Sequence, residues 1–107
     1  MRDFVGTTFE HEWTEGAYTG VIYRVEFISD TMLRWTGIAG FAKGRSDIQK
    51  YTLQKINDTI SQFSWLANDG LSVIITYNFV TMRSFGVIST KTEQHVLRGS
   101  LRKLNSQ

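Results

Sequence analysis

Apolar and polar positions alternate with period two along most of this chain, the spacing of β-strands rather than of helices. The run Phe9-Glu10-His11-Glu12-Trp13 is the clearest case. Phe9, His11 and Trp13 share one face, and Glu10 and Glu12 share the other. One face is therefore aromatic, with a titratable group at its centre. The same reading extends to eight strands: Thr7 to Trp13, Tyr18 to Ile28, Thr31 to Ile38, Ile48 to Ile56, Thr59 to Leu66, Leu71 to Asn78, Met82 to Ser89 and Glu93 to Leu104. Glu15-Gly16, Ser29-Asp30 and Asn57-Asp58 punctuate them. Asn68-Asp69-Gly70 is the strongest hairpin signal, because Asp-Gly supplies the positive φ that tight hairpins need. A Gly-rich loop, Ala39 to Asp47, makes the long connection. Ile48 to Ile56 has the weakest pattern; it is read as a strand because its neighbours are strands joined by short links.

Short connections and period-two patterning predict an all-β, up-and-down antiparallel fold. Eight strands left open would expose two edges, so closure into an eight-stranded barrel is expected. Such a barrel is either packed solid or holds one small ligand. On the second strand Val21, Tyr23, Val25 and Phe27 face inward, while Arg24 and Glu26 face out. Trp35 faces inward on the third strand, and Arg34 points out toward a glutamate. Leu71 to Ile75 is apolar on both faces, which suggests that a second copy covers the barrel there and predicts a homodimer.

Composition narrows the function class. At 107 residues the chain is expected to form one domain, residues 1–107. There is no cysteine, so no disulfide framework is expected, and a cytoplasmic location follows as the expectation. Twelve basic residues against ten acidic ones give a formal charge of +2, too small to argue for nucleic acid. No apolar stretch has membrane-spanning length, and no membrane partner is expected. Neither a HExxH nor a CxxC spacing occurs, so no metal or other cofactor is assigned.

His11 is the foremost candidate, either a satisfied core residue or a ligand contact; an imidazole titrates in the range where acid–base work is done. Arg45 closes the run Gly40-Phe41-Ala42-Lys43-Gly44-Arg45, and its guanidinium suits a carboxylate. Tyr23 is the best inward hydroxyl. Trp13, Trp35 and Trp65, with Phe63, can form an aromatic wall or simply core. His95 reads as a surface residue. No set of nucleophile, base and orienting residue is legible, and no catalytic residue is assigned.

Five stretches carry a family resemblance: FVGTTFEHEW, Gly20 to Phe27 around Tyr23, GIAGFAKGR, the FSWLANDG hairpin and FGVIS. In order and spacing the chain resembles the phenolic acid decarboxylase-like branch of the calycin (lipocalin-like) barrels, and the small MoaF-related domains of the same fold group. The resemblance implies a calycin-like barrel. In the decarboxylases two inward tyrosines of the first strand orient the substrate carboxylate; the matching positions here are His11 and Trp13. The essential arginine corresponds to Arg45, and the catalytic glutamate to Ala67. The arginine is kept while both tyrosines and the acid are replaced, which argues against that decarboxylation. Three functions stand side by side. The first is a barrel binding a small organic ligand, an anionic aromatic or other carboxylate, through His11, Trp13, Tyr23, Trp35, Arg45 and Trp65. The second is a lyase or isomerase using His11 and Arg45. The third is an interaction module with a solid core.

Overall fold

Alternation on this scale leaves every strand with one apolar face to bury, and a single sheet rolled on itself buries all of them at once. The computed structural model describes residues 5–67 and 69–106. Asn68 of the predicted hairpin turn and Phe4 of the first matching stretch lie outside the described residues. The strands are β1 (Thr7–Glu15), β2 (Ile22–Phe27), β3 (Met32–Ala39), β4 (Ser46–Lys50), β5 (Thr52–Lys55), β6 (Ile60–Leu66), β7 (Ser72–Asn78), β8 (Arg83–Ser89) and β9 (Gln94–Ser106), with one 3-10 turn, Gly40–Ala42, between β3 and β4. They form one antiparallel sheet in the order β4-β3-β2-β1-β9-β8-β7-β6-β5. Its two edge strands, β4 and β5, are consecutive in the chain, so the sheet curls into a nearly closed up-and-down barrel.

The expected eight strands are therefore nine, and the difference lies at Tyr51. The predicted strand Ile48 to Ile56 breaks there. Ser46 to Lys50 pair with β3, and Thr52 to Lys55 pair with β6. Tyr51 itself belongs to neither ladder. Its N–H donates to Thr31 O (2.8 Å), and its hydroxyl donates to Ser29 O (2.8 Å), tying the seam to the β2–β3 turn. One segment thus serves both edges by changing partner midway. The second strand is also shorter than expected. Gly16 to Val21 fold into turns, with Thr19 N–H donating to Gly16 O and Val21 N–H to Tyr18 O.

The interior divides into two halves. Toward one end Phe9, Phe27, Phe63 and Tyr77 interlock, with Phe27–Phe63 and Phe63–Tyr77 ring centroids 5.1 and 5.0 Å apart in edge-to-face geometry. Leu33, Tyr51 and Leu101 complete that packed half. Toward the other end stand His11, Trp13, Tyr23, Trp35 and Trp65. Outside, Glu10 accepts from Arg24 (3.0 Å) and Arg102 (2.6 Å), and Arg34 pairs with Glu26 (3.3 Å). Although burial pushes the Glu10 carboxyl up, those two arginines hold it below its ordinary value. Among the described residues no helix is long and apolar enough to cross a membrane, which says nothing of strands.

Candidate functional site

Three strands build the floor of the open half. Alternation on β1 points His11 and Trp13 inward, and the β1–β2 register sets His11 opposite Tyr23. The rings of His11 and Trp13 are 4.7 Å apart, and those of Tyr23 and Trp35 stand edge-to-face at 5.6 Å. Trp13 fits because Gly86, two strands away on β8, leaves room for its ring; a Cβ at that glycine would come within 2.8 Å of the indole's outer edge. Trp65 stacks on Phe63 at 15° between ring planes, closing the wall toward β6.

These side chains surround a cavity of about 210 Å³. All six residues singled out from the sequence line it: His11, Trp13, Tyr23, Trp35, Arg45 and Trp65. Val25, Val73, Ile75 and Ile88 add aliphatic wall, and Tyr18, Phe41, Ala67, Asp69 and Leu71 complete it. A cavity of about 150 Å³ accepts one benzene ring. This one has room for a ring with short substituents. Arg45 and Asp69 are exposed, so they stand where the cavity opens, with opposite charges. The carbonyl of Arg45 accepts from Gly37 N–H (2.8 Å), and its N–H donates to Ala42 O (3.0 Å), so the 3-10 turn fixes where the side chain leaves the backbone. The carboxylate of Asp69 accepts from Leu71 N–H (3.2 Å).

His11 is 1% exposed, and its Nδ1 lies 3.1 Å from the hydroxyl of Tyr77, which is fully enclosed. Burial drives the imidazole down to about 3, against a small opposing pull from Glu10. Burial also pushes the Tyr77 phenol up. The pair is therefore uncharged at neutral pH. Tyr23 and Tyr18 are likewise held above the ordinary phenol value by burial; Tyr18 adds to the shift at Tyr23, and Arg45 works against it. Trp13 Nε1 and Ser84 Oγ are buried without a hydrogen-bond partner among the described residues.

Several residues of this site carried no sequence signal strong enough to single them out. Tyr77 shares its face with Val73 and Ile75, so inward parity was readable, but its contact with His11 spans 66 positions. Asp69 was legible only as a turn residue. Tyr18 and Phe41 sit in turns, their rings edge-to-face at 5.1 Å. His95, expected at the surface, has a half-buried side chain whose ring lies 5.9 Å from that of Tyr18. Among the described residues no group of three or more His, Asp or Glu side chains is placed to hold a metal.

The comparisons with known proteins agree with this architecture. A crystal structure from Burkholderia vietnamiensis, described as that of a candidate β-lactamase, superposes with a TM-score of 0.84 at 22% identity. The match covers 95% of this chain and 96% of that one, and at such identity it is a likeness of fold. No curated protein matches the sequence. Residues 8–102, nearly the whole barrel, match the MoaF-like family, and the chain belongs to that family.

Proposed function

We propose that the chain is a single ligand-binding barrel domain whose cavity takes a small aromatic carboxylate. The observation that carries this reading is an aromatic cavity of about 210 Å³ with one guanidinium, Arg45, at its opening. In the proposed pose Arg45 meets the anion, Trp13, Trp35 and Trp65 hold the ring, and His11 and Tyr23 supply directional hydrogen bonds. Membership of the calycin superfamily is part of the same proposal, supported by the topology. The lyase or isomerase alternative is weaker. A proton shuttle works best near the ambient pH, whereas burial holds His11 at about 3. The name of the Burkholderia protein suggests hydrolysis, but the described lining residues include no serine, threonine or cysteine nucleophile.

The test is titration of the protein with benzoate, cinnamate and phenylacetate, read by tryptophan fluorescence and by the three indole N–H signals. Binding that weakens at least about tenfold in both His11→Ala and Arg45→Ala supports the reading. Unchanged indole signals at millimolar ligand sink it.

We further infer a homodimer through the outer face of β6 to β9. Ser64, Ile74, Val87 and Val96 align across these four strands, and Leu66, Ser72, Ser89 and Gln94 align in the next row. Val96 is 64% exposed and Leu66 75%. A two-fold contact sets a face against itself, so charged residues there would meet their own sign. Neither row carries a charge, which makes a second copy the fitting occupant. A cytoplasmic setting is supported by the absence of cysteine, and a charge of +2 gives little attraction for nucleic acid.

A further inference from the structure

His11 stands where the interior changes from packed to open, with Tyr77 behind it and the cavity in front. The Tyr77 hydroxyl has a proton to give, and His11 Nδ1 is its hydrogen-bond partner among the described residues. An unprotonated imidazole nitrogen is a better acceptor than a phenol oxygen, so the pair is satisfied with the phenol O–H donating to Nδ1. The opposite arrangement, Nδ1–H donating to the phenol, strands the phenol proton in the core. Tyr77 therefore places the ring proton of His11 on Nε2. Nε2 is the remaining polar atom of a residue that lines the cavity.

We propose that the cavity floor is a subsite for an uncharged hydrogen-bond acceptor, a carbonyl above all, which receives the His11 Nε2–H, with Tyr77 as the positioning residue that fixes this donor. The proposal rests on the ligand-binding reading above and deepens it. The ligand then has an apolar ring, a neutral acceptor at its buried end and its anion at the mouth with Arg45. A carboxylate at the floor is disfavoured because the walls around it, Trp13, Val25, Ile75 and Ile88, are apolar, and the cation among the described lining residues is at the exposed rim. A neutral donor meeting a carbonyl leaves no charge buried. This orientation reverses the one that the decarboxylase resemblance implies for the first-strand positions.

The experiment uses matched ligands in which acetyl is replaced by its isostere isopropyl: 4-acetylbenzoate against 4-isopropylbenzoate, and the corresponding cinnamates. Long-range proton–nitrogen spectra of labelled protein report the tautomer and charge of each imidazole, and the chain has only two histidines. Free His11 is expected as the neutral Nε2–H tautomer from pH 8 to pH 5. The better-fitting acetyl compound should bind at least about tenfold tighter than its isopropyl partner. Its binding should move the Nε2 signal without forming imidazolium. Tyr77→Phe should give a mixture of tautomers and reduce the acetyl preference to within twofold, with isopropyl binding retained. An Nδ1–H tautomer in the free protein, equal binding within both pairs, or imidazolium on binding overturns the proposal while leaving a ligand site in place. If none of the four compounds perturbs the cavity residues, the ligand-site reading falls and takes this inference with it.

Discussion

Protonating His11 is the most informative perturbation of this fold, because the charge would be buried from solvent with only the weaker pull of Glu10 to offset it. The unfolded chain takes up the proton near pH 6.5, whereas burial holds the folded imidazole down at about 3. The sign follows from those two values. Above 6.5 neither state binds the proton, and stability is complete. Between 6.5 and about 3 the unfolded state binds it and the folded state does not, so stability falls as pH falls. The slope approaches about 1.4 kcal/mol per pH unit, giving a loss of about 2 kcal/mol between pH 7.5 and pH 5. That figure is set by the unfolded value, since a folded site anywhere below 4 takes up almost no proton at pH 5. Glu10 adds little above pH 5, because the unfolded carboxyl titrates near 4.5; its lowered folded value makes stability fall further only as the pH drops toward and below that. Urea unfolding followed by tryptophan fluorescence should show the midpoint dropping by about 1 M, for a slope near 2 kcal/mol/M. In His11→Gln the drop should disappear. A wild-type midpoint that stays level from pH 7.5 to pH 5, or a variant that falls in parallel with it, refutes the reasoning.

Gly86→Ala sets a methyl against Trp13 and should cost about 1–3 kcal/mol in thermal unfolding; an unchanged melting temperature would show that the indole yields freely. Ser84→Ala removes a buried hydroxyl that has no partner among the described residues, so it should leave stability unchanged or raise it by up to about 1 kcal/mol, and a clear loss in chemical denaturation contradicts this. Asp69→Asn removes the carboxylate at the cavity mouth and should tighten benzoate binding a few-fold at low salt by calorimetry, with the gain shrinking as salt is added. Val87→Lys places a charge in the outer row between Ile74 and Val96 and should convert a dimer to a monomer in light scattering; a wild type that is monomeric at high concentration removes the dimer proposal.

What the sequence made legible follows from how far each contact reaches along the chain. Inward parity is local, so Phe9, His11 and Trp13, then Val21 to Phe27, then Phe63 and Trp65 could be assigned from neighbours two positions away. The outward direction of Arg34 toward a glutamate was also readable; that the glutamate is Glu26 follows from the β2–β3 register. The break at Tyr51 was not. Residues 47, 49, 51 and 53 keep one face inward throughout, and only the ladder partner changes, from β3 to β6. Nothing in the local pattern records a change of partner. The same limit applies to the site. Arg45 and His11 could be named from residue chemistry, but whether the rings filled the barrel depended on how far apart opposite walls stand. The packed half and the open half contain the same kinds of residue. Asp69 illustrates a different loss: its use in a turn is so strong a local explanation that its place at the cavity mouth left no separate trace.

The β1–β9 ladder has a consequence for how the molecule comes together. Thr7 to Glu15 pair with Arg98 to Ser106, so residues about as far apart as this chain allows are direct neighbours. Every other ladder joins strands that follow one another in sequence. Loop-closure entropy is thus concentrated in one pairing, which must lower the folding rate more than any hairpin does. The hairpins from β6 to β9 can form early, while β1 waits with one edge unpaired. Since β1 carries His11 and Trp13, the cavity floor is assembled in the same late event that joins the two ends of the barrel. A circular permutant that links those ends and opens the chain at Gly70 would turn this slow long-range step into a local one, at the cost of making the β6–β7 pairing the distant contact instead.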